Sequence, residues 1–329
     1  MAARNEAERI ALTINDILAQ DYPKSLIEII VVDDHSTDGT ASIIASYAER
    51  GVKLIQLNEA NALNSYKKKA LTEAIKLAAG ELIIATDADC RMGTAWVRTI
   101  VSMYEEKGYK LISSPVAFYQ EKTFFEELQT LEFSFLIGLG ASTIGNKMPS
   151  TCNGANLAYR RDVFHELKGF TGIDDLASGD DELFLHKVAA KYPDGIGFCK
   201  SKDAIVFTHA KLSLKEFIRQ RKRWASKSTR YKNKWVVVLG VSIWLFNLFT
   251  LGTLFMGFFD SDYFLLFWLS MGAKFLVELS FMASVTSFFK RKRLLLYLPL
   301  LTVAHIIYLI YIGIAGNSGK YEWKGRLVR

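Results

Sequence analysis

The last third of the chain is the feature that most restricts its fold. It contains three long apolar runs, at residues 235–259, 263–289 and 294–315. A predominantly apolar stretch of about 20 residues is long enough to cross a bilayer as a helix. We therefore expect a transmembrane region at 235–315 with about three helices, followed by a basic tail at 316–329. Lys274 and Glu278 lie one helical turn apart inside the second run, and we expect them to pair.

The net charge of +7 is concentrated beside these runs. Eight basic residues lie between Arg219 and Lys234, and residues 290–293 are all basic. Basic clusters can indicate nucleic-acid binding, but their position next to apolar runs favours anionic membrane lipids and the cytoplasmic side. The opening residues lack a secretory signal pattern, and three scattered cysteines have no metal-ligand spacing. We expect a multi-pass protein of the cell (inner or plasma) membrane, with its catalytic domain in the cytoplasm and no nucleic-acid partner.

Strands and helices are predicted to alternate through the first 120 residues. Apolar runs rich in β-branched residues indicate strands, and apolar positions with helical spacing indicate helices: strands at 28–32, 52–57 and 81–86, helices at 40–50 and 67–79. This order is typical of an α/β domain with a mostly parallel sheet flanked by helices. We expect the domain to cover residues 1–230. A further helix is predicted from Asn5, with Ile10, Ile14 and Ile17 on one face. No strand precedes this helix, so we expect that the first strand is missing through truncation of the N-terminus.

The strand at residues 81–86 ends at two carboxylates, Asp87 and Asp89. Parallel strands deliver their C-terminal ends to the crevice in which α/β sheets bind ligands. Two hard oxygen ligands there suit a magnesium or manganese ion that also holds a phosphate. The alternative is a solvated turn after a strand.

A second acidic cluster follows the strand at residues 28–32. Asp33 and Asp34 end that strand, and the turn after them leads into a helix whose free N–H groups could face a nucleotide. An Asx-rich turn with a helix cap is the alternative. Lys67 and Lys68 lie about twenty residues before Asp87. They form a solvated helix face or contact a diphosphate.

Two weaker clusters occur in the middle of the chain. Asn153 and Gly154 indicate a loop where the backbone comes close to a ligand. Asp180 and Asp181 open a predicted helix, whose dipole favours negative charge, so stability alone could explain them. Adjacent carboxylates can also raise one another's pKa, which suits a general base that works near neutral pH.

An amphipathic interfacial helix is predicted at residues 212–230, just before the first apolar run. On nearby faces it carries an amide, an aromatic plane and a forked cation, from Gln220, Trp224 and Arg223. A simple membrane-surface helix is the alternative interpretation.

The order of these clusters closely resembles the inverting family-2 glycosyltransferases. The match is nearest to membrane-bound polysaccharide synthases of the cellulose, chitin, hyaluronan and poly-N-acetylglucosamine type, and it covers residues 2 to about 230. The resemblance implies a GT-A nucleotide-sugar-binding fold joined to an acceptor-binding half. It implies transfer of a sugar from a nucleotide-diphosphate donor to a growing glycan or lipid-linked acceptor, with metal-assisted departure of the nucleoside diphosphate. Partner subunits of an export complex belong to the same expectation.

The resemblance also implies a role for each cluster. Asp181 would be the general base, with Asp180 as the other candidate because the pair is Asp-Asp rather than Glu-Asp. The remaining residues are grouped by the part of the substrates that they would contact. The nucleoside would be held by Asp33 and Asp34, with Ala3, Arg4 and Glu6 nearby. The diphosphate would be held by Lys67 or Lys68 and, through a divalent ion, by Asp87 and Asp89. The acceptor and the pyrophosphate end would be held by Asn153, Gly154, Gln220, Arg223 and Trp224.

Three alternatives stay open at this point. A one-step enzyme that glycosylates a lipid carrier would differ from a polymer synthase in product length. Phosphohydrolases of the haloacid-dehalogenase type also place Asp-x-Asp after a buried strand, but they would have Thr or Val where this chain has Arg91. A non-catalytic membrane scaffold would leave Gln220, Arg223 and Trp224 unexplained.

Overall fold

The computed structural model describes residues 1–59, 63–316, 321–323 and 326–328. The chain divides into two compact units. The first comprises Met1–Tyr119, Leu139–Thr208 and Glu322–Arg329, and the second comprises Gln120–Gly138 and His209–Tyr321. The predicted domain limit at residue 230 therefore differs from this division, because residues 209–230 group with the apolar helices.

The chain begins with a three-stranded parallel sheet. Its elements are β1 (Ala2–Ala3), α1 (Ile10–Leu18), β2 (Ile29–Asp33), α2 (Thr40–Ala45) and β3 (Val52–Gln56). The strands lie in the order β1-β2-β3, and Ala3 is in register with Asp33. A two-residue strand therefore precedes α1, at a place where the sequence indicated no strand. Two alanines carry no β-branched apolar pattern, which is why this strand was not expected.

The rest of the first unit contains two mixed sheets and the helices around them. The elements are α3 (Tyr66–Leu77), β4 (Leu82–Ala85), β5 (Arg91–Met92), α4 (Trp96–Lys107), β6 (Leu111–Ser113), β7 (Val116–Phe118), α5 (Phe124–Gly145), β8 (Leu157–Arg160), α6 (Arg161–Glu166), α7 (Glu182–Lys191), β9 (Ile196–Phe198) and β10 (Val206–Thr208). Helix α5 runs from the second unit into the first. One sheet has the order β4-β8-β6-β9 and the other has the order β5-β10-β7.

The strand that leads to Asp87 does not pair as the sequence predicted. Strand β4 runs antiparallel to β8, with Ala85 opposite Leu157. This pairing brings the end of β4 beside the start of β8, where the loop with Asn153 and Gly154 lies. The direction of the pairing was not predictable from β4, because an apolar pattern does not specify a partner about 70 residues further along the chain.

Aromatic packing holds α7 and β8 together in the core of the first unit. Tyr159 on β8 is buried and contacts the rings of Phe164, at a centroid distance of 5.9 Å, and Phe184, at 5.0 Å. Burial of each such ring stabilises the fold by roughly 1.5–3 kcal/mol. The same cluster includes Leu157 at the start of β8 and Leu185 on α7. The loops that precede these two elements are therefore carried by a packed core.

The second unit is helical. After the first part of α5 it contains α8 (Leu214–Ala225), α9 (Lys234–Met256), α10 (Asp262–Phe288) and α11 (Leu298–Ala315). Among the described residues, three helices are long and apolar enough to cross a membrane, namely Lys234–Met256, Asp262–Phe288 and Lys292–Ala315.

Polar groups link two of these long helices. Lys274 pairs with Glu278, as expected, and the Thr302 hydroxyl of α11 donates to Glu278 Oε2 at 2.6 Å.

Two short strands, β11 (Tyr321–Trp323) and β12 (Arg326–Val328), pair with each other. They lie within the predicted basic tail, and the other residues after 316 are outside the described part of the chain.

Candidate active site

The turn after β2 forms one end of the site. Asp33 and Asp34 are buried, and His35 after them has a φ of +54°. Arg4 Nη1 donates to the backbone carbonyl oxygens of Asp34 at 2.7 Å and His35 at 2.8 Å. The Glu6 backbone N–H donates to the hydroxyl of Thr40, at the start of α2, at 2.8 Å. The residues that follow β1 therefore hold the β2 turn and the start of α2.

Asp33 has one satisfied and one unsatisfied carboxylate oxygen. Its Oδ2 accepts from the Ser36 backbone N–H at 3.3 Å. Its Oδ1 is buried and has no hydrogen-bond partner among the described residues. Buried polar atoms are almost always hydrogen-bonded, so an unpartnered acceptor indicates a place for a donor that is supplied from outside the chain.

The first turn of α3 connects this end of the site to the next cluster. The ring of Tyr66 meets the ring of His35 edge-on at a centroid distance of 5.7 Å. The next residue is Lys67, whose Nζ lies 2.8 Å from Asp87 Oδ1 and 3.1 Å from Asp180 Oδ2. Tyr66 was not among the predicted site residues, and its position directly before Lys67 is the signal that could have identified it.

Lys67 is a cation held between two carboxylates that lie 93 residues apart in the sequence. Burial of its ammonium disfavours the charge, but the attraction of Asp180 and Asp87 outweighs burial and raises the pKa of Lys67. The lysine therefore stays charged at any physiological pH. A charged group that balances two acids can also balance the acidic part of a ligand that enters between them.

The two consecutive acids contact the loop that precedes β8. Asp181 caps α7 by accepting from the Glu182 backbone N–H at 2.6 Å, and its Oδ2 accepts from the Gly154 N–H at 3.0 Å. A Cβ atom at Gly154 would lie 3.2 Å from Asp180 Oδ2 and 3.4 Å from Asp181 Cβ. This close approach to Asp180 and Asp181 is the structural reason for glycine here. The predicted approach of this backbone to a ligand stays a prediction.

Neighbours of Gly154 hold the loop in place. The Asn153 side chain accepts from the Ala155 backbone N–H at 2.9 Å. Asn156 is fully buried, and its Nδ2 donates to the carbonyls of Pro115 at 2.8 Å and Ala204 at 2.7 Å. Its Oδ1 accepts from Trp96 Nε1 at 2.9 Å. Asn156 therefore supports the site from the core, a role that the sequence did not indicate.

The two lysines predicted for a diphosphate have different surroundings. Lys67 faces the carboxylates, whereas Lys68 points into the protein and is 1% exposed. Lys68 Nζ donates to three backbone carbonyl oxygens, of Ile173, Leu176 and Ser178. Of the two alternatives, the geometry favours Lys67.

Asp87 and Asp89 have the donor chemistry that a divalent ion needs. Both side chains are partly exposed, at 38% and 27%. Asp87 faces Lys67, and Asp89 Oδ2 lies 3.9 Å from Arg9 Nη1. No group of three metal-ligating side chains occurs in the described part of the chain. Two carboxylates fit magnesium or manganese when substrate phosphates complete the coordination shell.

Arg91 has a structural partner. Its Nε and Nη2 donate to the two carboxylate oxygens of Asp16 at 2.6 and 3.0 Å. This bidentate pair joins β5 to α1. The position at which a haloacid-dehalogenase-type enzyme would have Thr or Val is therefore occupied by a fold-stabilising cation.

Gln220, Arg223 and Trp224 lie on α8 in the second unit. Gln220 Oε1 accepts from Arg221 Nη1 at 2.7 Å, and the Arg221 guanidinium lies 4.3 Å from the centroid of the Trp224 ring. Arg221 is buried and forms a salt bridge with Glu132 on α5. Arg221 was not among the predicted functional residues of this helix. The acceptor role of Gln220, Arg223 and Trp224 stays a prediction.

The fold is that of an α/β protein in which one lysine and several acids cluster at the ends of strands and helices. Residues 1–168, just over half of the 329-residue chain, match the family model described as Glycosyl transferase family 2. The chain therefore belongs to glycosyl transferase family 2. The predicted family is confirmed, and the prediction of a glycosyltransferase is confirmed at the level of the family.

Individual proteins show the same relationship. A glucosyl-dolichyl phosphate glucuronosyltransferase from Haloferax volcanii is 26% identical over 188 residues, which are 55% of this chain and 56% of that protein. A poly-beta-1,6-N-acetyl-D-glucosamine synthase from Staphylococcus epidermidis is 28% identical over 141 residues, which are 42% of this chain and 32% of that protein. The chain spans about half or less of the length of the curated relatives that it matches.

A solved structure shows the fold. The mannosyltransferase PcManGT from Pyrobaculum calidifontis, in complex with GDP-Man and Mn2+, is similar with a TM-score of 0.53 at 18% identity. The similarity covers 93% of this chain and 85% of that chain. The predicted GT-A fold is confirmed.

Proposed function

We propose that this chain is a membrane-anchored inverting glycosyltransferase of the cell membrane whose catalytic unit faces the cytoplasm. The donor is a nucleotide-diphosphate sugar, and the acceptor is a growing glycan or a lipid-linked sugar. One observation carries the proposal: Lys67 lies between Asp87 and Asp180, and Asp181 accepts from Gly154 next to them. This arrangement combines a fixed cation for a diphosphate with carboxylates that can take a proton.

The nucleoside is assigned to the β2 turn. The unpartnered Oδ1 of Asp33 can accept from an N–H or O–H of a base or ribose. Asp34 lies next to it. Arg4 holds the backbone at Asp34 and His35, and the backbone of Glu6 holds the start of α2. The ring of Tyr66 then leads to Lys67, which balances the diphosphate charge.

Asp87 and Asp89 are the residues that would hold a magnesium or manganese ion near the diphosphate. When bound, such an ion stabilises the negative charge that grows on the departing nucleoside diphosphate. Lys67 performs the same electrostatic task with a charge that the chain itself supplies.

Asp181 is assigned as the general base. It accepts from Gly154 in the predicted acceptor loop, whereas Asp180 pairs with Lys67, the cation proposed to balance the diphosphate. In the reaction, an acceptor hydroxyl oxygen forms a bond to the anomeric carbon while the bond from that carbon to the diphosphate oxygen breaks on the opposite face. The hydroxyl proton passes to the Asp181 carboxylate. One displacement of this kind inverts the anomeric configuration.

Two classes of acceptor follow from the names of the relatives. The Haloferax volcanii relative is named for a dolichyl-phosphate-linked acceptor, and the Staphylococcus epidermidis relative is named as a polymer synthase. Three helices with the length and composition of membrane spans support an acceptor at the bilayer in both cases. Product length distinguishes an enzyme that adds one sugar to a lipid-linked acceptor from a polymer synthase. Partner subunits for export are proposed for the polymer synthase.

The test is a transfer assay with the full chain in membranes against a panel of nucleotide sugars. We expect one donor to be consumed and Asp181→Asn to lower its turnover by about a hundred- to ten-thousandfold, with nucleotide binding retained. Asp194→Asn is the matched control, because Asp194 is 73% exposed and pairs with Lys147 at the surface. Wild-type turnover by Asp181→Asn, or consumption of no donor, would contradict the proposal.

A further inference from the structure

Lys68 is a buried cation whose donors all serve one distant loop. Its Nζ donates to the carbonyl oxygens of Ile173 at 2.5 Å, Leu176 at 2.7 Å and Ser178 at 2.7 Å. An ammonium group has three N–H donors, so the three carbonyls match its full capacity. The acceptors lie 105 to 110 residues away in the sequence, so these bonds are tertiary contacts and not part of α3.

The loop that receives these bonds has little regular structure of its own. It lies in the connection from α6 to α7, which consists of turns and bends, and Gly172 and Gly179 on either side of residues 173–178 have φ values of +82° and +84°. Glycine adopts this left-handed conformation without steric cost. Buried carbonyls outside helices and sheets need donors from side chains or water. Lys68 supplies such donors to three of them.

The same loop leads directly into the two catalytic candidates. Ser178 lies two residues before Asp180, and Asp181 is the N-cap residue of α7. Lys67 and Lys68 are consecutive on the first turn of α3: Lys67 contacts Asp180 through its carboxylate, and Lys68 holds the backbone just before it. The first turn of α3 therefore contacts both the carboxylate of Asp180 and the backbone that precedes the acid pair.

We propose that Lys68 is a positioning residue for sugar transfer, which fixes the loop at 173–178 so that Asp180 and Asp181 keep their places beside Lys67 and Gly154. The catalytic part of this proposal rests on the proposed function. The structural part, that Lys68 orders the loop, does not.

Electrostatics support a mechanical role. Burial of the ammonium lowers the pKa of Lys68 to about 8, and the nearby carboxylates of Asp180, Asp181, Asp175 and Asp174 act in the opposite direction. A buried lysine is kept only where its hydrogen bonds compensate for lost hydration. Here the bonds are to backbone, so the side chain acts on the conformation of the loop.

The test compares Lys68→Met with Lys76→Met in the full chain. Methionine keeps the length and apolar stem of lysine but has no donor. Lys76 lies on the same helix, is 57% exposed and pairs with Glu73, so it is a matched surface control. Hydrogen exchange of peptides covering 173–179 is measured without substrate, and nucleotide affinity and kcat are measured separately.

For Lys68→Met we expect exchange in residues 173–179 to rise about tenfold or more through local opening. We expect kcat to fall about 100-fold through misplacement of the acids, with nucleotide affinity unchanged. Lys68→Arg keeps a cation with several donors and should restore part of the protection and of kcat. Wild-type exchange in Lys68→Met would overturn the proposal, and so would increased exchange with a wild-type kcat.

Two further outcomes are informative. If no sugar nucleotide is ever turned over, the proposed function fails while the exchange experiment still decides whether Lys68 orders the loop. If Lys68→Met does not fold, exchange of the wild-type loop is compared at pH 7 and pH 9 after correction for the intrinsic rate. Loss of protection confined to residues 173–179 at pH 9 supports the proposal, and unchanged protection overturns it.

Discussion

The backbone N–H of Gly154 donates to Asp181 Oδ2 at 3.0 Å, across 27 residues of sequence. This bond joins the loop before β8 to Asp181, the N-cap residue of α7. The loop lies beside the end of β4 because β8 runs antiparallel to β4. Lys67 then joins Asp180, next to Asp181, to Asp87 after β4. The strand pairing and the lysine together bring three sequence clusters into one place.

Gly154→Ala should impair catalysis more than binding. The added methyl group would lie 3.2 Å from Asp180 Oδ2 and would displace the acid pair. We expect kcat to fall about tenfold or more, because small misplacements of catalytic groups are costly, while nucleotide affinity stays near the wild-type value. Gly93→Ala is the control, since a Cβ there would meet nothing within 4 Å. Equal kcat values for the two variants would refute the role of this contact.

Asp89→Asn should remove the metal-dependent part of nucleotide binding. A neutral amide is a weaker ligand for a hard divalent ion than a carboxylate. Calorimetric titration of the nucleoside diphosphate with and without manganese should show enhancement for the wild-type chain and little for the variant. Asp21→Asn, at a 64% exposed surface position, should behave as wild type. The same enhancement in Asp89→Asn would show that the ion binds elsewhere.

Activity should fall as pH rises through about 8, where Lys68 loses its proton. A neutral amine has two donors for three carbonyl acceptors, so the loop loosens. Global stability should change in the opposite direction: between pH 8 and the unfolded value of 10.5 the unfolded chain binds more protons, so the free energy of unfolding rises with pH in that window. The carboxylates that face Lys68 are those of Asp174, Asp175, Asp180 and Asp181.

The measurement is kcat between pH 7 and 9.5 together with the unfolding temperature at each pH. Loss of kcat without loss of stability fits local loosening of the loop. The alkaline decrease should be absent in Lys68→Met. An identical decrease in that variant would assign it to another group.

Glu132→Gln should destabilise the second unit. Glu132 Oε1 accepts from Arg221 Nε at 3.0 Å, and both side chains are almost fully buried. Removing one partner of a buried ion pair leaves an uncompensated charge and costs about 3–5 kcal/mol. Glu127→Gln, which affects a pair with the 71% exposed Arg293, should cost about 1 kcal/mol or less. Thermal unfolding in detergent compares the two, and equal unfolding temperatures would contradict the expectation.

Several parts of the fold were predictable because they depend on local pattern. The strands at residues 29–33 and 52–56 and the helix at 66–77 lie within a few residues of their predicted positions. Apolar residues that recur at helix or strand spacing lie on one face of the element, and that face is buried. The long apolar helices were predictable for the same reason, since length and composition alone identify them.

The antiparallel direction of β4 was not predictable, and neither was the strand at Ala2–Ala3. Strand direction and pairing depend on residues far away in the chain, and two alanines depend entirely on the neighbouring β2 for their conformation. The separation of residues 209–230 from the first unit also follows from distant contacts, such as the pair of Arg221 with Glu132.

The sequence by itself determined which residue types were available: acids at strand and helix ends, lysines on one helical turn, and apolar helices at the end of the chain. Only the tertiary structure decided what each does. Lys67 and Lys68 are identical and adjacent, yet one faces two carboxylates and the other holds three backbone carbonyls. Successive residues of a helix point about 100° apart, so their roles depend on what packs against each face, and local sequence does not contain that information.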